Sequence, residues 1–292
     1  MRVTQSMLSN NMMRNLSTSY SKMGKLQEQL TSKKKINSPS DDPVVAMKGI
    51  GYRTDLGKIE QYSRNLGEVT NWLDNSDSAL DQVGNIIHRV HELVIDGAND
   101  TKTDDDRLKI KSEIDELRKQ LQSISNTKVG DKFIFNGTNT LTAVYENGAF
   151  STAPGKDKEV NIEISDGVEL KANITAVDMF TDLDTLMANI GTELAVTSSS
   201  GANISALIKD VSDNLGKVLE KRAELGARQN RADMMGNRLG LQEVSTKKIM
   251  SENEDVDYEK AITDLITEET VHRAALSVGA RIIQPSLVDF LR

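Results

Sequence analysis

The sequence is poor in the residues that cross-link or fill a compact globular core. It contains no cysteine, which excludes disulfides and thiolate metal sites. Aromatic residues make up 4% of the 292 positions, with one Trp, and there are four prolines. A large enzyme core usually contains more aromatic bulk, and a loop-rich fold contains more proline and glycine. These shortages, together with charges of mixed sign on 27% of the residues, favour long solvated helices.

Basic charge and long apolar runs are also scarce. The net charge is −8 and the isoelectric point is about 5.1, which argues against a nucleic-acid partner. No segment approaches the ~20 apolar residues of a membrane span, so we expect no membrane partner. Residues 1–13 lack the apolar core of a secretory signal peptide. We therefore expect any export to use a route that does not read such a signal.

Motifs that carry catalysis are missing as well. The chain has no nucleophile–base pair, phosphate loop or paired acid site. His88 and His91 lie three positions apart on a predicted helix, but no further residue nearby has the spacing of a metal ligand. We predict that the chain is not an enzyme and has no catalytic, cofactor-binding or metal-binding residues.

A long heptad seam dominates the pattern that is present. Its residues alternate steps of three and four over about five repeats, and Ser76 is its one polar member. They are Ile59, Tyr62, Leu66, Val69, Leu73, Ser76, Leu80, Val83, Ile87, Val90 and Val94. A helix over this stretch would run roughly 50 Å and would need partner helices to bury its stripe. We predict a rod whose core contains Leu66, Val69, Leu73, Leu80, Val83, Ile87 and Val90.

Two shorter stripes lie near the ends of the chain. The first contains Met12, Leu16, Met23, Leu26 and Leu30, and the second contains Leu276, Ala280, Ile283, Leu287 and Phe290. Pro39 and Pro43 separate the first stripe from the rod helix, because proline interrupts helical hydrogen bonding. Short helices without such continuity are marginally stable. We predict that both stripes form an assembly surface and become ordered when subunits meet.

Polar residues mark the helix ends. Asp41 or Asp42 is placed to cap the second helix. The run Asp104-Asp105-Asp106 opens the third helix, where it is expected to supply a cap and a favourable charge for the helix dipole. The run Lys33-Lys34-Lys35 is expected to be a solvated helix end.

The periodicity changes in the middle of the chain. Asn147-Gly148 indicates a hairpin, and alternating residues at 160–164 and 168–174 indicate two further strands. We predict a mainly α fold, an elongated antiparallel helical bundle or coiled-coil rod with both termini together and an inserted small β-rich domain that projects outward. The predicted parts are an N-terminal assembly helix (1–36), the N-terminal part of the rod (37–130), the β-rich outer domain (131–200), a returning rod helix (201–250) and a C-terminal assembly helix (251–292).

Several strings in both helical blocks resemble the bacterial flagellin family. They are LTSKKKINSPSDDPVV at 30–45, WLDNSDSALDQVGNIIHRVHELVIDGAN at 72–99, ELGARQNR at 224–231, SENEDVDYEKA at 251–261 and PSLVDFLR at 285–292. They occur in the family's order, which makes the resemblance specific. It covers roughly 1–130 and 200–292 and does not extend to the middle segment.

Within that family, two features resemble its junction members rather than the filament subunit. One is the proline in SDDP at 40–43, and the other is DKFIFNGT at 131–138. This resemblance implies a structural adaptor that forms a ring with copies of itself and joins the hook, through the first hook-associated protein, to the flagellin filament. It also implies export by the flagellar type III route, a cytosolic export chaperone as partner before export, and an extracellular location in the flagellum afterwards.

Two alternatives stay open at this point. The chain would carry the same helical pattern if it were a short flagellin that forms filament. A secreted coiled-coil adhesin or effector would instead act through the β-rich segment.

Overall fold

The chain is mainly α-helical in the computed structural model, which describes residues 5–99, 101–196 and 201–283. Its helices are α1 (Gln5–Ser32), α2 (Pro43–Gly97), α3 (Asp104–Ser125), α4 (Val177–Ala195), α5 (Gly201–Glu254) and α6 (Tyr258–Ile283). Its strands are β1 (Lys128–Val129), β2 (Lys132–Phe133), β3 (Tyr145–Glu146), β4 (Ala149–Phe150), β5 (Asn161–Ser165) and β6 (Val168–Lys171). Helices hold 74% of the described residues, and the predicted mainly α fold class is confirmed.

One of the two candidate aspartates caps α2. Asp42 Oδ1 accepts hydrogen bonds from the backbone N–H groups of Val44 at 3.0 Å and Val45 at 3.1 Å. Asp41 instead accepts a bond from the backbone N–H of Ser38 at 3.1 Å, inside the loop that precedes the helix. Asp42 is therefore the N-cap, because its oxygen satisfies N–H groups that have no partner within the first turn.

The start of α3 differs from the expected acidic cap. Thr103 is the N-cap, and its Oγ1 accepts a hydrogen bond from the Asp106 N–H at 3.3 Å. The Asp106 carboxylate accepts a bond in return from the Thr103 N–H at 3.4 Å, which completes a capping box. Asp104 and Asp105 add favourable charge at the positive end of the helix dipole, but the cap comes from the residue before the acidic run.

The chain divides into two compact units. We call residues 1–58 with 242–292 the terminal unit and residues 59–241 the central unit. In the central unit α3 packs along α4. Arg118 and Gln122 of α3 each donate a hydrogen bond of 2.7 Å to the buried Asp184 carboxylate of α4. Charge-assisted bonds of this kind are directional, so they fix how the two helices pair.

The heptad seam lies in the core of the central unit. All seven residues predicted for the rod core are buried there, and Leu80 is fully buried. Ile59 and Tyr62, at the start of the seam, are partly buried against the same core. Ser76 is also buried, and its hydroxyl donates to the Trp72 carbonyl at 2.8 Å. This bond within the helix satisfies the hydroxyl, so a polar residue is accommodated in an apolar seam.

The strands of the described residues form three two-stranded antiparallel sheets. β3 and β4 pair around Asn147 and Gly148, as the sequence predicts. Both residues have positive φ values, 55° and 84°, which suits a tight hairpin turn. β5 and β6 also form a hairpin, with a register shift between Glu163 and Ser165.

We call residues 128–174, which hold β1 to β6, the β-containing segment. It packs into the central unit and does not form a compact unit of its own. Its buried side chains belong to the same hydrophobic cluster as the heptad seam; they include Phe135, Val144, Ile164, Leu170 and Ile174. The segment and the helices therefore share one hydrophobic core. The outward position expected for this segment stays a prediction.

Both long helices make polar contacts with the β5–β6 hairpin or with the residues that flank it. Asn65 of α2 donates to the Glu163 carbonyl at 2.7 Å. Arg228 of α5 donates from Nη1 to the Asn173 carbonyl at 2.6 Å and from Nη2 to the Glu159 carboxylate at 3.1 Å. These bonds orient the hairpin on the helices that carry the core.

Candidate assembly surface

The α1 stripe lies along α6 within the terminal unit. These two helices pack together, and each of Met12, Leu16, Met23, Leu26 and Leu30 is partly buried. Contacts between the helices include Met12 with Gly279, Tyr20 with His272 (ring centroids 6.2 Å apart) and Lys22 Nζ with Glu268 Oε1 (3.8 Å). The pair is narrow, so it covers the α1 stripe only in part.

The predicted C-terminal stripe lies on a different side of α6. Leu276 and Ala280 are exposed, Leu276 to 49%. A helix turns about 100° per residue, so Leu276 stands about 60° around α6 from Gly279, which faces α1. The α6 backbone ends at Ile283, while the Ile283 side chain and all of Leu287 and Phe290 lie outside the described residues. The described part of this stripe therefore lies on a solvent-exposed flank of α6, beside the side that packs on α1.

Exposed apolar side chains concentrate in the terminal unit. Of the 22 exposed large hydrophobic residues in the described part of the chain, fifteen lie in this unit. Those on α6 are Tyr258, Ile262, Ile266, Val271, Leu276 and Val278. Large exposed apolar surface marks interaction sites in soluble proteins. This concentration identifies the terminal unit as the candidate assembly surface.

Periodicity singled out Leu276 and Ala280 but missed Tyr258, Ile262 and Ile266. These three residues are spaced by four, which is a signal for one side of a helix. Ile262 and Ala280 are 18 positions, or about five turns, apart, so they share that side of α6. The exposed flank of α6 is therefore longer than the stripe predicted from sequence.

The break between α1 and α2 is hydrogen-bonded to the break between α5 and α6. The Lys35 N–H donates to the Glu254 carbonyl at 2.6 Å, and the Val256 N–H donates to the Lys33 carbonyl at 3.2 Å. The two breaks thus pair like a short piece of antiparallel sheet. The lysine run, expected to be a solvated helix end, is a docking segment for the chain after α5.

Ion pairs near these breaks shift the pKa values of three side chains. The pKa of Lys34 is raised, chiefly by its hydrogen bond to Asp255, and the same bond lowers the pKa of Asp255. The pKa of Asp41 is lowered by Lys25, whose ammonium lies 2.7 Å away, and by backbone N–H donors that include Ser38. Each shift favours the ionised form in the folded chain.

The described residues contain no group of three or more histidine, cysteine, aspartate or glutamate side chains arranged to hold a metal ion. His88 is exposed on α2, and His91 is partly buried one turn later. Over the same part of the chain, no helix is long and apolar enough to cross a membrane.

Two family models match the chain. The bacterial flagellin N-terminal helical region matches residues 3–140, and the bacterial flagellin C-terminal helical region matches residues 208–291. The unmatched residues between them hold β3 to β6, α4 and the start of α5. The two matches together cover most of the chain.

Individual relatives match over nearly their whole length. Flagellar hook-associated protein 3 of Escherichia coli is 26% identical, over 94% of this chain and 95% of that protein. The flagellar filament 31.3 kDa core protein of Treponema maltophilum is 27% identical, over 87% of this chain and 86% of that protein. The structure of a flagellar hook-associated protein from Vibrio parahaemolyticus superposes with a TM-score of 0.65 at 25% identity, covering 74% of this chain and 100% of that one.

Proposed function

The chain belongs to the bacterial flagellin family, and on this premise we propose that it is a structural adaptor that joins the flagellar hook to the flagellin filament. It would form a ring with copies of itself, between the first hook-associated protein on one side and flagellin on the other. It acts by binding and has no catalytic role. The observation that carries this proposal is the similarity to a hook-associated protein over 95% of that protein's length.

The terminal helices are the proposed contact surface for the ring. The flank of α6 that carries Ile262, Ile266 and Leu276 is exposed in the single chain, and the α1 stripe is only partly buried. Packing against a neighbouring copy would remove both surfaces from water. Each Å² of apolar area buried in this way contributes about 25 cal/mol of favourable free energy. The predicted stripe residues Leu287 and Phe290 would extend the same contact toward the C-terminus.

Before assembly the same apolar flank needs cover. We propose that the chain is made in the cytoplasm, bound there by a flagellar export chaperone and exported by the flagellar type III route. The chaperone would take the α6 stripe by the helix-in-groove mode, in which residues one turn apart anchor the helix. The finished adaptor would be extracellular, at the junction of hook and filament.

Removal of the gene tests the adaptor role directly. Cells without this protein should build hooks, release flagellin into the medium and fail to swim, because the filament would have nothing to attach to. Electron microscopy of the cells and an immunoblot for flagellin in the medium are the measurements, and expression of the intact gene in the same cells is the control. Normal filaments on the deleted cells would overturn the proposal.

A single substitution tests the α6 flank. Leu276→Asp should weaken binding to the chaperone and to neighbouring copies by about 2 kcal/mol or more, the loss typical of a central interface residue, which is roughly 30-fold in Kd. Thermal unfolding of the isolated protein should stay unchanged, because Leu276 is half exposed. Ala274→Asp, an exposed change about 160° around the same helix from Leu276, is the matched control. Equal binding of the two variants would remove the flank from the assembly surface.

A second candidate function is that of a short flagellin. The observation in its favour is the filament core protein of Treponema maltophilum, which is 27% identical to this chain, against 26% for the hook-associated protein. A filament subunit should polymerise from purified protein into long fibres seen by electron microscopy, whereas an adaptor should not polymerise without its partners. The adhesin or effector alternative would require the β-containing segment to act alone, and a binding assay on that segment tests it.

A further inference from the structure

Glu254 is a buried carboxylate at a position that its own helix disfavours. It is the last residue of α5, and its side chain is 4% exposed. The C-terminal end of a helix carries partial negative charge, which repels a carboxylate. Burial adds the free-energy cost of removing the charge from water. Groups from elsewhere in the fold must therefore stabilise the ionised side chain.

Two cations from other segments supply that stabilisation. Arg53 Nη2 of α2 lies 2.6 Å from Glu254 Oε2, and Lys34 Nζ lies 3.5 Å from the same oxygen. Lys34 also pairs with Asp255 at 2.7 Å, and the second Asp255 oxygen is bonded to the Ser251 hydroxyl at 2.5 Å. The charged groups around Glu254 thus come from α2 and from the chain between α1 and α2, as well as from its own neighbour.

A glycine leaves space for this carboxylate. A β-carbon at Gly49 of α2 would lie 3.1 Å from Glu254 Cδ and would overlap its Oε1. Gly51, two residues later in the same helix, has no atom within 4 Å of the corresponding position. Alanine is more favourable than glycine inside a helix by about 1 kcal/mol, but at position 49 an alanine would also compete with the Glu254 carboxylate for space.

The ion pairs lie where the two breaks are hydrogen-bonded to each other. The Lys33 carbonyl and the Glu254 carbonyl each accept a backbone bond across the breaks. Lys33 has a φ of 64°, in the left-handed region that a lysine seldom adopts. A side chain that ties the breaks together therefore also holds a strained backbone in place.

We infer that Glu254 is an ionic lock that joins the α1–α2 break to the α5–α6 break. With the lock closed, α1 and α6 extend from one paired segment and are held side by side. Arg53 and Lys34 are 60% and 37% exposed, so both cations regain water as soon as the carboxylate leaves, and the lock can open without stranding a buried charge. The closed lock would present α1 and α6 as a pair for assembly, and this consequence rests on the proposed function.

Amide hydrogen exchange on the full-length protein tests the lock. Glu254→Gln removes the charge and should speed exchange at the Lys35 and Val256 amides by at least about tenfold, because both bonds span the breaks. Gly49→Ala keeps every charge but moves the carboxylate, and it should accelerate exchange at the same two amides to a smaller extent. The Leu80 amide, in the central unit, should exchange at its original rate in both variants.

Gly51→Ala is the matched control, since it makes the same change in the same helix where no atom is near. It should leave exchange at the breaks unchanged. Unchanged amide protection in Glu254→Gln would overturn the lock. Equal acceleration by Gly49→Ala and Gly51→Ala would also overturn it, because the effect would then come from helix propensity. Circular dichroism checks that each variant is folded. If either Glu254→Gln or Gly49→Ala fails to fold, the other variant still tests the lock.

A motility assay tests the consequence for assembly separately. Cells that carry Gly49→Ala should swim poorly and release flagellin, whereas Gly51→Ala cells should swim normally. Full motility in cells whose lock is shown open by exchange would overturn the assembly role. Normal swimming of cells without the gene would overturn the proposed function, and the exchange result would still decide whether the lock exists.

Discussion

Truncation of Leu80 to alanine should destabilise the central unit by about 3 kcal/mol. Leu80 is fully buried in the seam, and the change removes three carbons at about 0.8 kcal/mol each. The cavity left behind adds to this transfer value of about 2.4 kcal/mol, and a total of about 3 kcal/mol lies within the range of about 2–5 kcal/mol measured for such substitutions. For a unit of this size, a loss of about 3 kcal/mol lowers Tm by roughly 6–12 °C.

Urea unfolding followed by circular dichroism measures the loss. The midpoint should fall while the slope of the transition stays unchanged, because the surface exposed on unfolding is nearly the same. Leu219→Ala is the matched control: it removes the same atoms from α5 at a site 53% exposed, and it should change stability by less than about 0.5 kcal/mol. Equal destabilisation by the two variants would refute the assignment of Leu80 to the core.

Two further outcomes follow from the fold. The lowered pKa values of Asp41 and Asp255 mean that their contribution to stability is present above their unfolded pKa and is lost as pH falls through the folded values. Exchange at the Ser38 and Lys35 amides, corrected for intrinsic rates, should therefore accelerate as the pH falls through the folded pKa values of these two carboxylates, and unchanged protection over that fall would contradict this sign. Deletion of residues 140–199 should abolish cooperative unfolding of the central unit and produce dye binding, because the deleted stretch contributes the buried residues Phe180, Leu183 and Ile190 to the shared core. A melt that overlays the intact protein would show that this segment lies outside the core.

The helices and their breaks were predictable because their signals are local. Heptad spacing from Ile59 to Val94, the prolines at 39 and 43 and a capping aspartate predicted a helix that begins near Pro43 and carries the seam, and α2 runs from Pro43 to Gly97. The cap of α3 was harder to assign, since Thr103 and the acidic run after it are both good helix-start residues. The capping box was decided by side-chain geometry, which the order of residues alone does not specify.

The candidate surface was predictable in composition but not in orientation. Spacing by three and four placed Leu276 and Ala280 on one side of a helix, as the structure has them. The same spacing could not say whether that side packs on α1 or faces solvent, because a stripe carries no information about its partner. Gly279, which carried no apolar signal, is the residue that faces Met12.

An apolar stripe on α5 contains Val211, Leu215, Val218, Leu225 and Ala232, and the polar residues Arg222 and Gln229 interrupt it. The role of these two polar residues was decided by the fold. Arg222 binds Asp77 at 3.2 Å and Asp81 at 2.8 Å, and Gln229 donates to Asp74 at 2.9 Å. These positions were visible in the sequence as gaps in an apolar stripe. Their acidic partners lie some 140 to 155 positions earlier in the chain, a separation at which no local pattern connects one residue to another.

The sequence by itself determined where the helices form, where they break, which residues could line a core and, through its resemblance to a family, where the chain belongs. These features depend on neighbours within a few positions, because helical hydrogen bonds, caps and proline effects all act over one turn. Only the tertiary structure decided that the lysine run docks on the chain after α5, that the β-containing segment shares the central core, and that Glu254 lies over Gly49 between two cations. Each of these depends on residues brought together from distant parts of the chain, where packing space and burial of charge set the free energy.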